Sequence, residues 1–224
     1  MPSTIEEIFG ALSIAGNLIF QAFTRPRYSR WGATDEEVRR RLPGDDYTTV
    51  PQISNTRAIT IDAPPAQVWP WLVQLGYGRG GLYSYEKLER LIGCEMHNAD
   101  RIQPELQDLK IGDTIALDPR IPLPYSVVDL QPEHYLLLMI AVDPSQNQPI
   151  DFSQLLPPVY DINTWLFYLE PQDVQKTRLL VRSRHAYPPG FANTLAWKVI
   201  TDPIHFVMER HLLQGVKQRA EGRI

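Results

Sequence analysis

Arg57-Ala58-Ile59-Thr60-Ile61-Asp62-Ala63-Pro64-Pro65-Ala66-Gln67-Val68-Trp69 is the stretch from which the fold is read. Alternation and β-branching over Arg57–Ile61 predict a strand, and Asp62-Ala63-Pro64-Pro65 ends it. Proline at a first helical turn loses no needed donor, so Val68, Trp69, Leu72, Val73 and Leu75 continue as a compact apolar helix that breaks at Gly76. After Gly76–Gly81, residues 83–92 predict a second short helix, with Ser84 or Tyr83 near its start and Gly93 after its end.

From Gly112 the pattern turns to β. Strands are expected over Asp113–Leu117, Tyr125–Leu130, Tyr135–Val142, Asn163–Glu170 and Thr177–His185, joined by turns rich in Pro, Asp and Gln. The connection Asp143–Asp161 is longer than a hairpin needs and reads as a lid or a mobile loop. Residues 193–220 have helical spacing, and Asp202-Pro203 marks the start of a main helix that carries Ile204, Val207, Met208, Leu212 and Gly215 on one side.

Ahead of the strand, Ile5, Ile8, Phe9, Leu12, Gly16, Ile19, Phe20 and Phe23 recur at helical spacing. Such a helix wants a partner surface. The protein's own body, a sister subunit, or a membrane with Arg25, Arg27 and Arg30 at headgroup level would each serve. Thr34–Leu42 predicts a further short helix, with Thr34 and Glu37 as a capping box and Pro43-Gly44 as its stop, and 45–54 reads as a linker.

The strand-Ala-Pro-helix signature, Ile59-x-Ile61-x-Ala63-Pro64-x-x-x-Val68-Trp69-x-x-Leu72, and the element order after it resemble the START-like, or SRPBCC, superfamily over about 55–220. Its members include polyketide cyclases/dehydrases, plant hormone binders and lipid-transfer domains. The resemblance implies an α+β helix-grip fold: a curved antiparallel sheet wrapped around a long C-terminal helix, two short helices after the first strand, and an apolar cavity between sheet and helix. The expected division is a helical extension over 1–54 and a START-like domain over 55–224. The segments Gly78–Glu89 and Asn98–Ile102 look like an uncharacterised bacterial branch, with no activity transferable residue by residue.

Composition narrows the partners. With 22 Lys+Arg against 26 Asp+Glu, the formal charge of -4 disfavours nucleic acid. The 43 % hydrophobic content supports a sizeable core, and 20 prolines in 224 residues disfavour coiled coils and helical repeats. One cysteine, Cys94, forms no internal disulfide and fits a reducing compartment. Glu6 and Glu7 stand where a secretory signal carries positive charge, and Ile8–Phe23 is short for a span, so a cytoplasmic protein is expected.

Gly76-x-Gly78-x-x-Gly81 follows a helix rather than a strand, so a turn between helices or a loop gating the pocket is expected, not a nucleotide site. Cys94-x-x-His97 with Asp100 lacks further ligands, so no metal and no cofactor is expected. His205 and Glu209, four apart on the main helix, are the candidate acid–base pair, or else a structural ion pair. Trp69, Tyr83, Tyr85, Trp165, Met208 and Leu212 are candidate lining residues for an apolar pocket. Arg182 and Arg184 share one strand face, which is either solvated or supplies an anion anchor at the pocket mouth. The expected function is binding of a hydrophobic small molecule, lipid-like or polyketide-like. The alternatives are a cyclase/dehydrase or hydrolase acting in the same cavity, and an accessory protein that contacts a membrane or forms homo-oligomers through the N-terminal helix.

Overall fold

The structure, a computed structural model, describes residues 4–91, 93–120, 123–145, 148–150 and 159–223. Helices α1 (Thr4–Ile19), α2 (Gln21–Tyr28) and α3 (Asp35–Arg39) precede β1 (Ile53–Ile61). Then follow α4 (Pro65–Val73), α5 (Glu86–Leu91), β2 (Thr114–Ile115), β3 (Tyr125–Gln131), β4 (Tyr135–Asp143), β5 (Gln148–Pro149), β6 (Asp161–Asp173) and β7 (Lys176–Ala186). The seven strands form one antiparallel sheet in the order β1-β7-β6-β4-β3-β2, with β5 on β4. A continuous C-terminal helix covers Phe191–Asn193 (α6), a wider π-helical segment Thr194–Thr201, and α7 (Asp202–Ala220).

The α+β helix-grip arrangement is the one expected. Each strand of the sequence reading is present except that the first begins at Ile53, inside the expected linker. Strand alternation sets the layers. Ile59 and Ile61 of β1, Leu136 and Leu138 of β4, Trp165, Phe167 and Leu169 of β6, and Leu179 and Val181 of β7 share the concave side. They bury against Leu212, Leu213 and Val216 of α7 and Val68 and Leu72 of α4. The middle of the grip is therefore filled by the chain's own side chains.

The convex side is covered as well. Leu137, Leu166, Leu180 and Ala58 pack under Leu42. Arg182 donates to the carbonyls of Glu37, Val38 and Arg40 and to Asp45 Oδ2, and Arg184 to Asp45 Oδ1 and the Thr48 carbonyl. These arginines hold the N-terminal extension, which corrects their assignment as anchors at the pocket mouth: strand parity puts them on the face away from α7. The capping box of Thr34 and Glu37 is formed, but α3 stops at Arg39 rather than Leu42, because Arg182 takes the carbonyls that would continue it. The free edge of β1 is closed by the extension, since Thr56 N–H and Ala58 N–H donate to the Ser29 and Trp31 carbonyls at 2.9 and 3.0 Å.

Helix α1 lies along α7 through its small and polar side. Glu7 accepts from the Lys87 and Leu88 backbone N–H groups at the start of α5. Gly10 sits on the Tyr85 ring, which stacks on His211 with centroids 4.0 Å apart. A Cβ at Gly10 would lie 2.8 Å from Tyr85. The stacked ring has little room to retreat, so Gly10→Val is expected to cost about 1–3 kcal/mol by overpacking. Urea unfolding measures the loss, and hydrogen exchange should localise it to α1; unchanged exchange there would show that the contact is soft.

Candidate functional site

Charge is concentrated where the sheet meets the start of α7. Arg57 is fully buried on β1, with the same inward parity as Ile59 and Ile61. Its Nη1 donates to Glu209 Oε2 at 2.5 Å, its Nε donates to the Tyr28 carbonyl at 2.9 Å, and its Nη2 lies 4.0 Å from Asp202 Oδ1. The indole Nε1 of Trp165 donates to Glu209 Oε1 at 2.7 Å. Burial alone would raise the Glu209 pKa, yet the Arg57 charge and the hydrogen bonds from Arg57 and Trp165 bring it below 4.5, so the carboxylate is ionised at neutral pH.

Asp202 does not cap α7 with its side chain. It accepts instead from the Tyr28 hydroxyl at 3.1 Å and from Asn55 Nδ2 at 2.8 Å, and pairs with Arg25 at 3.2 Å. Extension, first strand and terminal helix thus meet on one buried carboxylate.

Beside this cluster a chamber of about 160 Å³ remains between the sheet and the C-terminal helix. Ile53, Leu117, Tyr125 and Trp197 supply apolar wall; Asn55, Asn163, His185 and His205 supply polar groups. Exposed Thr201 stands at its rim. The π-helical segment matters here. Its winding, wider than that of an α-helix, changes the aim of successive side chains. Trp197 is brought edge-on to His185, with centroids 4.7 Å apart. His185 Nε2 is 2.7 Å from Asp161 Oδ1, which fixes that imidazole.

The Oδ1 atoms of Asn55 and Asn163 are buried and accept no hydrogen bond from any described residue. His205 Nε2 is 3.7 Å from Glu209 Oε1, beyond hydrogen-bond reach, and the carboxylate is already committed to Arg57 and Trp165. Burial pulls the His205 pKa below 6.5, with Glu209 opposing and Arg57 reinforcing the fall, so the ring is neutral at pH 7. Burial likewise raises the Tyr125 pKa, which keeps the phenol protonated.

Of the expected site residues, His205, Glu209 and Trp165 come together. The rest do not. Leu212 is core, and Trp69 packs against the same core from α4. Tyr83 donates to the Trp71 carbonyl at 3.0 Å and lies under Arg219, while Tyr85 is under α1. The Met208 carbonyl accepts from Ser84. The sequence reading missed Arg57, Asn55, Tyr125, Asn163, His185 and Trp197. A signal existed for the strand residues, since each shares parity with the apolar positions of its own strand. None existed for Trp197, whose aim depends on the π-helical winding.

The glycine-rich segment is a closed turn, with Gly76 and Gly81 exchanging backbone hydrogen bonds of 2.9 and 3.0 Å. Among the described residues no group of three His, Cys, Asp or Glu could hold a metal. No described helix is long and apolar enough to cross a membrane. Most of the expected lid, 143–161, falls outside the described residues.

No protein-family model matches the chain, and no curated protein matches it. Solved structures are similar to it at low identity. A protein from Arthrobacter aurescens is 13 % identical over 75 % of this chain and 86 % of its own, with a TM-score of 0.41. One from Thermobifida fusca is 15 % identical over 75 % and 95 %, with a TM-score of 0.40. The Aha1 dimer from Colwellia psychrerythraea is 16 % identical over 77 % and 98 %, with a TM-score of 0.39.

Proposed function

We propose that this is a START-like binder of a small, mainly hydrophobic molecule that carries a hydrogen-bond donor, held in the chamber at the start of α7. One observation carries the reading: Asn55 and Asn163 line the chamber, and the amide oxygen of each is buried with no hydrogen-bond partner among the described residues. Buried acceptors of this kind cost stability unless something bonds them. Apolar Tyr125, Trp197, Leu117 and Ile53 around them suit a ring or short chain with a hydroxyl or N–H end. A volume of about 160 Å³ is close to the roughly 150 Å³ that holds a benzene ring in a dry cavity. A lipid or polyketide would therefore insert one end rather than its whole length.

Phenol is the probe. Titration should change Trp fluorescence, since Trp197 lines the chamber and Trp165 lies 5.8 Å from Tyr125. Asn163→Leu should weaken phenol about tenfold or more, the size expected for a lost hydrogen bond, and leave toluene little changed. Equal effects on both would show that the amide does not read the ligand, and no response to either would end the proposal.

The enzyme reading is favoured by one feature: the neutral His205 ring lines the same chamber, able to take a proton. It requires a turnover that His205→Gln removes while phenol still binds.

A further inference from the structure

Helix α1 is mounted with its large apolar side chains facing out. Ile5, Ile8, Phe9, Leu12 and Ile19 of α1, Phe20 at the joint and Phe23 of α2 are each 56–76 % exposed, while Glu7 and Gly10 are buried against the domain. This reverses the usual surface helix, whose apolar stripe faces the core. No described residue covers the stripe. Over its 16 residues α1 is about 24 Å long at 1.5 Å per residue; Glu6 is exposed in its first turn, and from Ile8 onward the outward positions hold no charge.

The charge around the stripe names an occupant. From Ile8 to Thr34 the chain holds three arginines, Arg25, Arg27 and Arg30, and no acid, although the whole protein is at -4. Arg25 reaches Asp202 and Arg30 reaches Asp35, while Arg27 is exposed on α2. The Arg25 pair places α2 beside the start of α7, where the helical segment ahead of it exposes Phe191, Leu195 and Ile200 and carries Lys198. A specific protein interface ordinarily offers polar groups for about one hydrogen bond per 100–200 Å². This stripe has none along its outward positions, and its cations gather at one end.

We propose that the α1–α2 face docks on an anionic phospholipid surface. The aliphatic and phenylalanine side chains enter the boundary of headgroups and acyl chains, and Arg27 with its neighbours meets the phosphates. The helix lies in the plane of the membrane; it does not cross it.

Flotation of the full chain with vesicles tests this, using phosphatidylcholine alone and phosphatidylcholine with 30 % phosphatidylserine. The protein should float with the mixed vesicles, at least tenfold less with phosphatidylcholine alone, and less as salt rises. Ile8→Glu with Leu12→Glu should abolish flotation while leaving the circular dichroism unchanged; these side chains point outward, so the fold does not depend on them. Arg27→Glu should weaken it severalfold and leave sedimentation unaltered. Equal binding to both vesicle types would overturn the anionic assignment. A dimer by analytical ultracentrifugation that does not float, and that Leu12→Glu splits, would assign the face to a second copy and overturn the proposal.

Discussion

Arg57→Met is expected to destabilise the protein by about 3–5 kcal/mol at pH 7, the cost of removing one partner from a buried ion pair. The variant would leave Glu209 ionised in the core with only the Trp165 indole as a donor, and would strip the Tyr28 carbonyl of its bond from Arg57 Nε. That is a large part of the roughly 5–15 kcal/mol that holds a domain together. Asp202 is less affected, since Tyr28, Asn55 and Arg25 remain on it. The pH dependence identifies the cause. Glu209 has a depressed folded pKa, so it contributes stability above its unfolded value near 4.5 and loses that contribution as pH falls through the folded value. In Arg57→Met the depression disappears, and the carboxyl takes a proton more readily in the folded chain. The gap between wild type and variant should therefore narrow between pH 7 and pH 4.5. Adding Glu209→Leu should recover part of the loss at pH 7, because no buried charge is left unpaired. Urea unfolding of wild type and the two variants decides the matter: a constant gap across pH, or a double variant worse than the single, would remove the ion pair from the account.

The division between what was legible in the sequence and what was not follows from the range of the forces involved. Alternation, proline punctuation and capping residues act within a few positions, so β3, β4, β6, β7 and α4 could be placed from sequence alone. The start of β1 could not. Ile53–Thr56 lacks a clean alternation, and it is a strand because β7 pairs it on one side and Ser29 bonds it on the other. Arg182 and Arg184 of β7 show the same limit. Their shared face was readable, but not that the N-terminal extension would cover it and turn exposed-looking cations into clamps on its carbonyls and on Asp45. The chamber is the extreme case, since it exists where side chains from β1, β3, β6, β7 and the π-helical segment fail to meet. Parity alone would have brought Arg57 to attention: a cation in register with Ile59 and Ile61 needs a buried anion, and Glu209, on the gripped helix, supplies it.

Glu89 gives the other large effect, with the opposite sign. Its side chain is buried on α5, and neither carboxyl oxygen has a hydrogen-bond partner among the described residues. Burial first, then the charges of Glu86 on its own helix, Glu7 on α1 and Asp118 on the loop after β2, raise its pKa to about 8. The nearby cations are already paired, Arg90 with Glu86 and Arg120 with Asp118. Between pH 4.5, the ordinary glutamate value, and pH 8 the folded chain holds a proton that the unfolded chain has released. Stability must then fall as pH rises through that window, by on the order of 3–5 kcal/mol at about 1.4 kcal/mol per unit. Glu89→Gln keeps the shape and carries no proton to lose. It should flatten the slope between pH 5 and pH 8 and leave the variant more stable than wild type at pH 9, as read by urea midpoints. Because Glu7 both faces Glu89 and ties α1 to the start of α5, the alkaline loss should appear first as faster amide exchange in α1. If Glu89→Gln follows the wild-type curve, the carboxyl is already ionised at neutral pH; if exchange in α1 stays constant while the core loosens, the repulsion between Glu7 and Glu89 is not what loosens the helix.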